Sequence, residues 1–371
     1  MENANATYSL DLDQAVNLID AVGAVRTVIV EGGMGTGKSS GIKAKLKVKR
    51  PQNTHIDFDC TNKDIQDLTA PQFKKKLEEH ISDYVEFVPN AELGVHLGIP
   101  VTINFDEFKK ASDPVRKGVR AFMLEREICG VPLPEGSIIY GTSNLSEEGL
   151  GDVLLPHQRN AIIVVRLSKS TNIKWIEWGI AQEPPMHSSV LVYAKNNPQL
   201  FDCFTQVKNP EDNLEIYHPK DPSRLSFVTQ RSLHIASDIL HARDKYGLDD
   251  HTVTAALIGC VGAYAGPNLM ASVKLGDRLP SLDAIKQDPT GAVVPDTAAA
   301  TCMVVFRALA SIEREWVNEW MTYLMRLDTE AQGMFVKGVI AKDYPRQWVA
   351  NNPKFQQWML DNNYVFSADQ A

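Results

Sequence analysis

The segment RTVIVEGGMGTGKS, residues 26–39, constrains the fold more than any other. Gly32, a four-residue interval and then Gly37-Lys38-Ser39 make the Walker A spacing. A β-rich run precedes the loop and a helical pattern follows it, which is the context the motif needs. Backbone N–H groups can wrap phosphate oxygens only where side chains leave room, hence the glycines. The helix start adds the positive end of its dipole. Gly32, Gly33, Met34, Gly35, Thr36, Gly37, Lys38, Ser39 and Ser40 are therefore the candidate nucleotide-binding residues. Lys38 is expected to reach the β- and γ-phosphates and the Ser39 hydroxyl to coordinate Mg²⁺, so the implied ligands are ATP and Mg²⁺.

Two later segments suit the same chemistry. VTINFDEF ends a β-rich run in Asp106-Glu107. Asp106 is expected to hold Mg²⁺ and Glu107 to act as general base toward a water. Thr102 and Asn104 interrupt a run that is usually apolar throughout in a strand buried on both faces, and this points to a partly polar or solvated face. SIIYGTSN then brings Asn144, whose amide can hydrogen-bond both a water and the γ-phosphate. Ser-Asn is also ordinary turn chemistry, but the two preceding motifs favour the functional reading.

The first half alternates strand and helix patterns. Strands are expected at 26–31, 54–59, 101–106, 137–142 and 161–167, with helices at 38–49, 71–85 and 112–127. Such alternation predicts a mainly parallel sheet with helices on both faces. Beyond about residue 170 the patterns are helical. The run 251–270 reads as one buried helix rather than a membrane span, because it carries His, Thr and three glycines. Residues 275–297 hold three prolines and read as a loop or linker, followed by a helical tail to about 361.

Taken in order, GGMGTGKSS, INFDEF, LPEGSIIYGTSN, LLPHQRNAIIVVRL and TQRSLHIASDIL resemble the MoxR-like branch of AAA+ ATPases. LPSLDAIKQDP and WIEWGIAQ resemble pieces of that family's helical lid. The resemblance implies an α/β P-loop NTPase core of ASCE type with strand order 5-1-4-3-2, then an all-helical lid and a helical C-terminal region. On this chain the boundaries fall at 1–170, 171–285 and 286–371. The resemblance also implies a homo-oligomeric ring, usually hexameric, and chaperone-like work, often with a von Willebrand A domain partner. Asn144 takes the sensor-1 position and Arg231 the sensor-2 position. Arg231 falls in the first turn of a helix expected to be capped by Thr229, where a cation opposes the macrodipole. Family members commonly carry two arginines near the fifth strand, as LRNRF. This chain reads Gln158-Arg159-Asn160-Ala161-Ile162, so either the trans-acting role falls to Arg159, or Arg166 substitutes, or trans-activation is weak.

Composition narrows the alternatives. A formal net charge of −8 disfavours a nucleic-acid backbone binder. Lys43, Lys45, Lys47, Lys49 and Arg50 alternate with other residues and so spread around a helix rather than forming a stripe. Five scattered cysteines without a CxxC fit a reducing compartment, and the polar, acidic first residues lack the pattern of a signal peptide, so a cytoplasmic location is expected. The expected function is an ATP-hydrolysing subunit of a ring-forming remodelling machine. The alternatives are a nucleic-acid-directed motor or loader, and an ATP-gated assembly protein with little turnover.

Overall fold

A computed structural model describes residues 9–75, 83–145 and 160–362. It divides into two compact units, Met1–Lys169 and Ser170–Ala371.

The first unit contains β1 (Ser9–Leu10), α1 (Leu12–Val22), β2 (Val28–Gly32), α2 (Lys38–Lys49), β3 (Thr54–Asp59), β4 (Thr69–Lys74), β5 (Tyr84–Pro89), β6 (Val101–Asp106), α3 (Asp113–Glu125), β7 (Glu127–Ile128), β8 (Val131–Pro132), β9 (Ile138–Asn144) and β10 (Ile163–Leu167). Six strands form one sheet of order β1-β10-β2-β9-β6-β3. All neighbours in it are parallel. Counted from β2, the five main strands run 5-1-4-3-2, the expected order, and β1 adds an edge beyond β10. Apolar side chains cover both faces of the sheet, as a parallel sheet requires. Val28, Val30, Ile138 and Tyr140 pack with Val16 of α1 and Ile42 of α2. On the other face Ile29, Ile103, Phe105 and Ile139 pack with Val119 and Phe122 of α3. Asp11 caps α1 and exchanges hydrogen bonds with Gln14. Because the strands are parallel, their C-terminal ends share one edge, where ligands bind in open α/β sheets.

In this unit one expectation needs correction and one is narrowed. The described part of 71–85, residues 71–75 and 83–85, carries strand rather than the expected helix. Thr69–Lys74 and Tyr84–Pro89 form an antiparallel ribbon with Phe73 opposite Val85. Its pairing joins residues across the interval from Lys74 to Tyr84, and apolar spacing alone does not distinguish such a ribbon from a helix. The face carrying Thr102 and Asn104 is polar but not solvated. Both residues are buried, with Thr102 Oγ1 accepting from Asn53 Nδ2 and Asn104 Nδ2 donating to Asp57 Oδ1. Hydrogen bonds offset the desolvation that the departure from an apolar run imposes.

The second unit is helical: α4 (Asn172–Ile180), α5 (Ser188–Asn196), α6 (Gln230–Tyr246), α7 (Asp250–Val261), α8 (Ala265–Gly276), α9 (Leu282–Gln287), α10 (Ala298–Ser311), α11 (Val317–Leu324), α12 (Thr329–Ile340) and α13 (Pro353–Asp361). The run 251–270 is two helices, α7 and α8, rather than one. Gly262 breaks it with a φ of 96° that side-chain-bearing residues rarely adopt. Short α9 interrupts the stretch expected as loop. The described residues on either side of the expected boundary at 285/286 share one apolar core that runs from Trp175 to Trp358. Among the described residues no helix is long and apolar enough to cross a membrane.

Trp320 is fully buried in that core, 5.4 Å from the Phe335 ring and 5.8 Å from Tyr323. Trp320→Ala is expected to lower unfolding free energy by about 3–5 kcal/mol, read from urea denaturation followed by far-ultraviolet circular dichroism.

Candidate nucleotide site

The site is built at the sheet edge where β2, β6 and β9 end. β2 stops at Gly32 and α2 starts at Lys38, and the loop between them turns back on itself. Gly35 and Gly37 hold φ of 65° and 74°, in the left-handed region that glycine occupies without strain. At Gly32 a Cβ would come within 3.0 Å of the Lys38 side chain and 3.3 Å of Leu167, so a side chain there would make those neighbours shift. Thr36 Oγ1 donates to the Gly33 carbonyl at 2.9 Å and ties the turn.

Lys38 is the first residue of α2, and its side chain folds into the loop. Its Nζ donates to the carbonyls of Gly32 at 2.7 Å and Gly33 at 2.8 Å, and to Asn144 Oδ1 at 3.0 Å. A buried cation at a helix N-terminus adds to the positive end of the dipole rather than offsetting it. The first turn of α2 contains no acidic residue, and no side chain caps it. The loop thus presents N–H groups, a dipole end and an ammonium together, which suits an anion.

Beside it, Ser39 Oγ donates to Asp106 Oδ1 at 2.8 Å. Thr142 Oγ1 donates to the same oxygen, lies 3.2 Å from Ser39 Oγ and also meets Asn104 Oδ1 at 3.3 Å. The Glu107 backbone N–H adds a further bond to Asp106 Oδ1, at 3.1 Å. The structure therefore joins the two expected Mg²⁺ ligands, from opposite ends of the motif set. Among the described residues no three His, Cys, Asp or Glu side chains converge to hold a metal ion. The donor set is instead hard oxygen from one carboxylate and two hydroxyls, which fits Mg²⁺ when phosphates and water complete the shell. The field is negative nearby. Burial, and then the carboxylates of Asp59, Asp106 and Glu107, push the Cys60 thiol well above its ordinary range.

Asn144 does not sit in a turn. β9 extends to residue 144, in register with Gly32 of β2, and carries its amide to Lys38. Glu107 follows β6 in the left-handed region, with φ 53° and ψ 35°, an uncommon conformation for a residue with a side chain. Its carboxylate lies 3.1 Å from Lys110 Nζ. Thr142 was not singled out from the sequence. The available signal was its place two residues before Asn144, on the same face of a strand.

Three further expected residues are Arg159, Arg166 and Arg231. Arg159 falls outside the described residues. Arg166 is inside β10, between β1 and β2 and in register with Glu31. Arg231 belongs to the second unit, exposed in the first turn of α6, and Thr229 caps that helix by accepting the Ser232 N–H at 3.0 Å.

No family model matches the chain, and no curated protein does. Several solved structures are similar to it at low identity. A proposed ATPase of Cytophaga hutchinsonii is 15% identical, with 44% of this chain and 48% of that one covered and a TM-score of 0.29. NtrX of Brucella abortus, in complex with ADP, is 11% identical over 91% of this chain and 64% of that one, with a TM-score of 0.37. A RuvB variant of Thermotoga maritima is 13% identical over 84% of this chain and 85% of that one, with a TM-score of 0.35. The chain thus spans about half the length of the first of these and somewhat under two thirds of the second.

Thr142→Val keeps the shape of the side chain but deletes a donor to the Asp106 carboxylate. It is expected to destabilise the nucleotide-free protein by about 1–3 kcal/mol in urea denaturation.

Proposed function

We propose that the chain binds ATP with Mg²⁺ and hydrolyses it as an AAA+ subunit of a ring-forming, protein-remodelling machine. The carrying observation is the convergence of Lys38 with Asn144, and of Ser39 with Asp106, at the C-terminal edge of a sheet of order 5-1-4-3-2. In this reading the loop amides and Lys38 hold the β- and γ-phosphates. Ser39 and Asp106 would hold the Mg²⁺, which supplies charge neutralisation to the phosphates. Glu107 accepts a proton from the attacking water, and Asn144 orients that water against the γ-phosphate. For Glu107 to serve as base its carboxylate has to leave Lys110. Arg231 is assigned to the γ-phosphate from the lid. Arg159 is assigned to a neighbouring subunit's phosphates in preference to Arg166, whose position inside a sheet strand restricts its reach.

The MoxR-like assignment, the hexamer, a von Willebrand A domain partner and a cytoplasmic location belong to this same reading and rest on the sequence resemblance. A nucleic-acid motor is disfavoured by local charge pairing. Lys45 meets Asp13, Lys43 meets Asp57, and Arg50 meets Asp20, so the basic run of α2 is largely balanced inside its own unit. The ion pair of Glu107 with Lys110 favours one second reading, an ATP-gated assembly protein with slow turnover.

Glu107→Gln keeps the shape of the side chain but cannot take the proton. ATP and Mg²⁺ affinity by calorimetry is expected to be near wild type, with steady-state phosphate release reduced on the order of a hundredfold or more. Wild-type release in this variant would move the general base elsewhere. Assembly is expected to tighten with ATP, because a ligand that prefers the ring stabilises it by linkage. Light-scattering mass should therefore rise above that of the monomer at micromolar protein and saturating ATP. A monomer under those conditions counts against the ring.

A further inference from the structure

One buried ion pair next to the site has no part in the chemistry above. Lys109 Nζ lies 2.7 Å from Glu31 Oε1, with the two side chains 1% and 3% exposed. Glu31 is the last β2 residue before Gly32, whose carbonyl accepts from Lys38. Lys109 is the middle residue of the short helical turn Phe108–Lys110 that follows Glu107. The pair therefore joins the strand carrying the phosphate loop to the segment carrying the carboxylate base.

Its surroundings make it an expensive connection. Glu31 is in register with Ser143 of β9 and Arg166 of β10. The Ser143 hydroxyl is fully buried and has no hydrogen-bond partner among the described residues. Burying two charges costs several hydrogen bonds to water, and an apolar pair of similar volume would usually hold the fold as well or better. Stability alone thus accounts poorly for the pair. Position accounts for it better. Glu107 occupies the left-handed region, and such a conformation persists only where its surroundings fix it. Phe108 and Lys109, both buried, anchor the residues that follow it.

We infer that Glu31 and Lys109 are positioning residues. Their ion pair fixes the turn after β6 against the phosphate-loop strand, and so sets where the Glu107 carboxylate stands relative to the γ-phosphate. The inference rests on the assignment of Glu107 as general base. Neither residue is among those assigned to the nucleotide above, so the pair is expected to act on turnover rather than on affinity. A misplacement of about 1 Å can cost on the order of a hundredfold in rate.

Removing one partner strands a buried charge, so the deciding variant is the neutral double change Glu31→Gln/Lys109→Met. Its midpoint of thermal unfolding and its ATP affinity by calorimetry are expected to stay close to wild type, while kcat falls on the order of a hundredfold with KM little changed. Wild-type kcat in a folded double variant overturns the inference. If the double variant does not fold, Glu31→Asp decides, because it keeps both charges and withdraws the carboxylate by one methylene. Reduced kcat at unchanged affinity supports the positioning role, and wild-type kcat overturns it. Wild-type protein that binds ATP without releasing phosphate would instead count against the hydrolytic reading itself.

Discussion

A buried ammonium at the start of a helix is the arrangement on which the site depends. Lys38 adds positive charge where the dipole of α2 is already positive, an arrangement that costs free energy in the absence of an anion. Two loop carbonyls and the Asn144 amide oxygen surround it. Those acceptors come from the end of β2, the loop after it and the end of β9; the two strands are adjacent in space and far apart in sequence, and a parallel sheet ends both at the same edge. The sheet order is thus the framework that brings a lysine, an amide, a carboxylate and two hydroxyls within reach of one ligand.

The polar atoms of the sheet follow from the same demand. A strand buried on both faces is ordinarily apolar, yet β6 carries Thr102 and Asn104 and β9 ends in Thr142, Ser143 and Asn144. Asn53 satisfies Thr102, while Asp57, Asn104, Thr142 and Asp106 form a chain of hydrogen bonds that leads to the carboxylate Ser39 contacts. Such networks rigidify when complete and are costly when broken. Glu31 and Lys109 extend the polar region to the opposite face of the sheet, where the turn after β6 is fixed.

The helical unit is organised on a different principle. Its core is a single apolar cluster with aromatic side chains such as Trp320, Tyr323 and Phe335 at short ring separations. Thr229, Asp249, Ser281, Thr297 and Asp328 cap its helices by accepting backbone N–H groups. Short-range signals of this kind define helices well, because cap and helix are neighbours in the chain.

That difference in range separates what the sequence determined from what only the tertiary structure decided. The phosphate loop, the Asp106-Glu107 pair and the Thr229 cap are local patterns, since each needs only residues adjacent in the chain to adopt its conformation. The alternation of strand and helix likewise implied the parallel sheet. The ribbon at Thr69–Lys74 and Tyr84–Pro89 was not legible, because its apolar spacing also fits a helix and the pairing that decides between them is not a property of either segment alone. Nor was the break at Gly262, where one glycine in an apolar run is compatible with a continuous helix. Thr142 on Asp106, Asn144 within its strand, and Lys109 on Glu31 depend on the register of strands that the chain brings together only on folding. Residue type and spacing specify which groups can do chemistry; strand register decides which of them meet.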